Sequence, residues 1–212
     1  MMDDAHARET GRVAIALGGV AIGSAVCLGM FFVAGGPFGS LNDIGNATVG
    51  ILSAALAWRL RRDIPGRARE LAVGGAVVGA AITVVGSALV ISGRTGWFLA
   101  GLVSSLGFAG IGAWVVILNR SGVGVEPWPA RLRSLGVVAG ALMALGVVAA
   151  PGIIVRLDDM ATAPGWVWIA MLGWLGIFAA YPAWAVWVGT VESRRAAEWA
   201  LTNVMAERTT GR

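Results

Sequence analysis

The chain has 212 residues, of which 57% are hydrophobic and 13% are charged, and its net charge is +4. Soluble domains carry roughly 25% charged residues, so this composition excludes an ordinary soluble domain and predicts a multi-pass membrane protein. All basic side chains except one histidine are arginines that flank apolar stretches, a distribution that favours a membrane surface over nucleic acid as partner. The single cysteine, Cys27, excludes a disulfide within the chain.

Six apolar stretches are long enough to cross a bilayer, because a spanning helix needs about 20 apolar residues. They lie between a polar N-terminal tail, 1–12, and a C-terminal tail, 189–212. The sequence therefore predicts an all-α, polytopic bundle of six transmembrane helices, rich in Gly and Ala. The predicted spans are about 13–34, 41–60, 71–91, 97–118, 135–155 and 166–188.

The arginines predict the orientation. With the N-terminus inside, only Arg94 and Arg156 fall in outer segments, and the other fourteen fall in inner ones. This positive-inside bias predicts that both termini are cytoplasmic and that the protein lies in the cell membrane. Tryptophans near the predicted borders agree, since indoles favour the headgroup region; they are Trp97, Trp166 and Trp168 outside and Trp58, Trp184 and Trp187 inside.

Two segments outside the spans have distinctive sequences. The inner loop Asn119–Arg133 contains a kinked run, Pro127-Trp128-Pro129. In the C-terminal tail, small and apolar residues recur at helical spacing from Ala196 to Val204. This segment is predicted either to form a short helix on the inner membrane surface or to continue the sixth span.

Small residues predict how the helices associate. GxxxG pairs occur in the first, third and fifth spans at Gly19/Gly23, Gly75/Gly79 and Gly136/Gly140. Small residues let helix backbones approach closely where lipid supplies no hydrophobic drive. We therefore expect a tightly packed bundle without need of a large cavity, whose partners are the lipid bilayer and, through small-residue faces, other membrane proteins or itself.

The second span carries the only acid predicted within a membrane helix, Asp43. An ionisable group there indicates function, because burying its charge is costly. Asn42 and Asn46 are four residues apart and share a helix face beside Asp43, so the three residues form a candidate site for an ion or a polar solute. The alternative is a capping box, because Ser40 and Asp43 have the S-x-x-D spacing that begins a helix.

Two further features are candidates for function. Asp158 and Asp159 lie in the loop before the sixth span and, with Asp43, could form an outer acidic cluster for a divalent cation, or could simply be solvated. Pro182 interrupts the sixth span and frees a carbonyl near Phe178, which makes it a candidate hinge. Pro151 does the same in the fifth span.

The sequence contains none of the HExxH, CxxC, GxSxG or Walker A motifs, and no lysine. We therefore expect no enzyme, no cofactor and no metal. The leading hypothesis is a subunit, scaffold or regulator of a membrane complex. The alternative is a small transporter or channel with a polar outer opening at Asn42, Asp43 and Asn46.

Overall fold

The computed structural model describes residues 4–121 and 128–210, with side chains from residue 5 to residue 202 in these ranges. Pro127 lies outside the described residues. The described chain is helical and contains no strand. Its α-helices are α1 (Asp4–Ala34), α2 (Phe38–Arg59), α3 (Gly66–Ile91), α4 (Trp97–Arg120), α5 (Ala130–Ala144), α6 (Ala150–Ile154), α7 (Val167–Leu175) and α8 (Tyr181–Thr210).

Five helical segments are long and apolar enough to cross a membrane, which indicates a membrane-embedded protein. They are Ala5–Ala34, Gly66–Ile91, Trp97–Arg120, Ala130–Ile154 and Val167–Thr202. The second predicted span forms α2, but this helix is not among the five. Its first half carries Asn42, Asp43 and Asn46, and these polar side chains lower its hydropathy.

The helices close into a ring in which α1 packs between α2 and α8, α3 between α2 and α4, and α5 between α4 and α8. Glycines bring α3 and α4 into backbone contact. A Cβ built on Gly79 would lie 3.0 Å from the Ile111 amide nitrogen and closer still to the Gly107 carbonyl oxygen. Two of the three predicted GxxxG pairs thus pack within the bundle, since Gly140 meets α4 in the same way.

Both ends of the described chain lie at one end of this ring. The Arg59 guanidinium, at the end of α2, donates a 2.7 Å hydrogen bond to the carboxylate of Glu9 in α1. Gly11 of α1 packs on α8 beside Ser193. We call this the terminal end and the opposite one the cavity end.

Pro182 does not break the last membrane-spanning segment, Val167–Thr202. The chain instead forms one π-helical turn, Gly176–Ala180, in which the Tyr181 amide donates to the Gly176 carbonyl oxygen five residues earlier. The wider turn accommodates a proline that has no amide hydrogen for the Phe178 carbonyl. Upstream of Pro151, the chain tightens into a 3₁₀ segment, Leu145–Ala149.

Several borders differ from the prediction. Helix α1 begins at Asp4, nine residues before the predicted span, because Ala7 and Thr10 are buried in the bundle. Helix α8 runs unbroken to Thr210, so the tail continues the sixth helix. Trp184, predicted to lie at a membrane border, is fully buried because it stacks on Tyr181 inside the ring.

Candidate functional site

A cavity of about 200 Å³ opens in the ring at the cavity end. Residues from α1, α2, α3, α4 and the α7 region line it. We expected a bundle without need of a large cavity, and the structure differs because large aromatic side chains, including Phe31, Trp97 and Trp174, line this end. Asn42, Asp43 and Asn46 all line the cavity, so the structure brings the three predicted residues together.

Ser24 of α1 joins the two asparagines of α2. Its hydroxyl oxygen lies 2.9 Å from the Asn42 Oδ1 atom and 3.0 Å from the Asn46 Oδ1 atom, and all three residues are buried. Gly45 makes this approach possible, because a Cβ there would lie 2.8 Å from the Ser24 Cβ atom. The hydroxyl has one proton to share, and both amide oxygens are oriented toward it.

Asp43 does not cap α2, so the capping-box prediction is wrong. The helix begins at Phe38, Pro37 occupies the cap position, and no acid lies in the first turn. The Leu41 amide already donates to the Pro37 carbonyl oxygen, which places Asp43 in the second turn. Its carboxylate is half-buried at the cavity wall, and none of the side chains that the structure describes forms an ion pair or hydrogen bond with it.

A hydrogen bond holds the Trp174 indole in the wall of the cavity. The Trp174 Nε1 atom donates a 3.3 Å hydrogen bond to the Ser105 hydroxyl, which itself donates to the Gly101 carbonyl oxygen. Phe178 packs edge-on against Trp174 and belongs to the π-helical turn. The π-helical turn before Pro182 therefore shapes one wall of the cavity. The structure thus connects the candidate hinge at Pro182 with the candidate site at Asp43, a connection that sequence spacing did not reveal.

Below the cavity, toward the terminal end, the ring is filled by aromatic side chains. The Ser53 hydroxyl donates to the Val49 carbonyl oxygen at 2.6 Å, which leaves Tyr181 to donate to Ser53 at 2.8 Å. Trp184 stacks on Tyr181 and meets Trp114 edge-on at 6.0 Å. All of these side chains except that of Val49, which is 1% exposed, are fully buried, so the cavity is closed on this side.

Asp158 and Asp159 cap helices and do not form the predicted outer acidic cluster with Asp43. The Asp158 carboxylate accepts hydrogen bonds from the Gly96 and Leu99 amides, at 2.6 and 3.0 Å, and so caps the start of α4 from another loop. Asp159 caps its own short 3₁₀ helix. Within the described residues, no three acidic, histidine or cysteine side chains form a group that could hold a metal ion, so Asp43 is not gathered with these two acids.

Sequence reasoning missed a buried acid at the terminal end. Glu192 is 1% exposed, and its Oε1 atom accepts hydrogen bonds from Trp128 Nε1 at 2.9 Å and Arg195 Nη1 at 3.0 Å. Burial raises the pKa of nearby Asp63, and the negative charge of Glu192 raises it further, while Arg195 and His6 lower it. Glu192 lies one turn before Ala196, so the helical spacing noted for the tail, extended backwards, would have indicated it.

Comparisons of the chain with protein-family models, with curated proteins and with solved structures found no match.

Proposed function

We propose that the protein crosses the cell membrane six times, with both termini in the cytoplasm and the cavity open to the outside. Helix α2 is the second span and completes the set of six, because it lies in the ring between two apolar helices, α1 and α3. Asn42 and Asn46 turn inward to Ser24, as polar groups in a bilayer must. The arginine distribution supplies the orientation.

In this arrangement the protein is a small transporter that takes up a solute from the outside. The observation that carries this proposal is a cavity, with Asp43 on its wall, that Tyr181 and Trp184 close toward the terminal end. In the proposed orientation, the terminal end is the cytoplasmic side. A transporter that works by alternating access likewise opens its binding site to one side of the membrane at a time. The π-helical turn at Gly176–Ala180 lies at the border between the open and closed parts, where a hinge would act.

Uptake of a panel of solutes into proteoliposomes tests this function. The panel comprises labelled sodium, an amino acid, a sugar and an alkylammonium, each in counterflow. We expect at least one solute to enter above protein-free liposomes and Asp43→Asn to reduce its uptake at least about tenfold, the size of a lost charge contact. Asp159→Asn removes the same charge outside the cavity and should retain uptake. Absence of uptake for every solute contradicts the proposal.

A second candidate is a subunit or scaffold of a membrane complex without catalytic activity. It is favoured by the first GxxxG pair, Gly19 and Gly23, which has open space on the outward face of α1. Such a face accommodates a helix of another membrane protein or of a second copy. A pull-down from the native membrane in mild detergent distinguishes the two, since this candidate requires a stoichiometric protein partner.

A further inference from the structure

The cavity combines one negative charge with an aromatic wall. Asp43 is the single charged residue among its described lining residues, and no basic side chain lines it. A half-buried carboxylate without a partner attracts a cation and repels an anion, since the field of a charge is stronger in a low-dielectric site than in water. The charge therefore selects against anionic solutes.

The aromatic rings indicate what kind of cation fits. Five ring-bearing residues line the cavity: Phe31, Trp97, Phe108, Trp174 and Phe178. The faces of aromatic rings attract organic ammonium groups, and the rings also bury an apolar body. A divalent metal ion instead needs about six oxygen ligands, and here the Asn42 and Asn46 amide oxygens already face Ser24.

The volume limits the size of the ligand. The cavity measures about 200 Å³. A protein cavity of about 150 Å³ holds benzene, so this one suits roughly six to ten non-hydrogen atoms. Building on the transport function above, we propose that the solute is a small organic ammonium ion of about the size of benzylammonium, with Asp43 as its counter-ion and the rings around its apolar part.

Equilibrium dialysis with the purified protein in lipid nanodiscs tests the ligand class. The probes are benzylammonium and benzyl alcohol, which have nearly the same shape but differ in charge. We expect saturable binding of one benzylammonium per chain and at least about tenfold weaker binding of benzyl alcohol, consistent with the worth of one charge-assisted contact. This comparison uses the unaltered protein and does not depend on whether a variant folds.

Two variants complete the test. Asp43→Asn should weaken benzylammonium binding to the level of benzyl alcohol, whereas Asp159→Asn should leave it unchanged. Equal affinity for the two probes, displacement of benzylammonium by stoichiometric calcium, or binding of neither probe overturns the ammonium assignment. The transport function is tested separately, because uptake of a sugar or an amino acid would keep it while refuting the ligand class.

Discussion

Replacing Glu192 with alanine is expected to lower the free energy of unfolding by about 3 kcal/mol, the low end of the range for breaking a buried ion pair. The Glu192 carboxylate is 2% exposed and the Arg195 side chain is 20% exposed, so this ion pair is largely shielded from water. The change also leaves the Trp128 indole without its acceptor and opens a void between α8 and the segment before α5. Unfolding of the purified protein in mixed micelles measures the loss.

Glu192→Gln is the matched variant. Its side-chain oxygen can still accept from Trp128, so we expect a smaller loss than with alanine. It also removes a negative charge that raises the pKa of Asp63. The fold binds the Asp63 proton more tightly than the unfolded chain does, so ionisation of Asp63 costs stability as the pH rises above its ordinary pKa of 3.8. Glu192→Gln should therefore weaken this pH dependence. Equal stability of the unaltered protein, Glu192→Ala and Glu192→Gln would contradict the stabilising contacts of Glu192 with Trp128 and Arg195.

The second large effect concerns two glycines in equivalent sequence motifs. Gly79→Ala is expected to destabilise the protein by about 2 kcal/mol, because a methyl group would push apart α3 and α4 at the Gly107 carbonyl oxygen. Gly23→Ala makes the same change where no atom lies within 4 Å, so the better helix propensity of alanine should stabilise the protein by up to about 1 kcal/mol.

Both glycine variants are measured by the same micelle unfolding as the Glu192 series. Opposite signs for the two alanines would support the ring order in which α3 contacts α4 and the first GxxxG pair faces outward. Similar effects at Gly79 and Gly23 would show that the motifs are used alike and would contradict this order.

The sequence predicted the helical class and the segments from which the bundle is built, because long apolar runs separated by arginines leave few alternatives. It also placed Asn42 and Asn46 on one helix face, with Asp43 beside them. The capping-box prediction was wrong because the cap position of α2 is Pro37, three residues before Ser40, and local spacing alone does not reveal which residue begins a helix.

The cavity could not be predicted, because its walls come from helices that are distant in sequence. Asn46 and Trp174 both line it although 128 positions separate them, and only the closed ring brings them together. Glu192 was missed for a related reason. It follows the apolar run of the last span and resembles a solvated tail residue, and its burial depends on the neighbouring Trp128 and Arg195.

We propose that Asp43 lies on the wall of a cavity that is open to the outside, and thiol labelling tests this proposal directly. In a Cys27→Ala background, Asp43→Cys and Ile44→Cys place cysteines at almost the same depth on α2. The Ile44 side chain is 52% exposed on the outward surface of the ring, where lipid would surround it. A membrane-impermeant maleimide reacts only with a hydrated thiolate. We predict labelling of Asp43→Cys and not of Ile44→Cys when the reagent is added to intact cells; equal labelling of both cysteines, or labelling of Asp43→Cys only after the cells are permeabilised, would contradict the account.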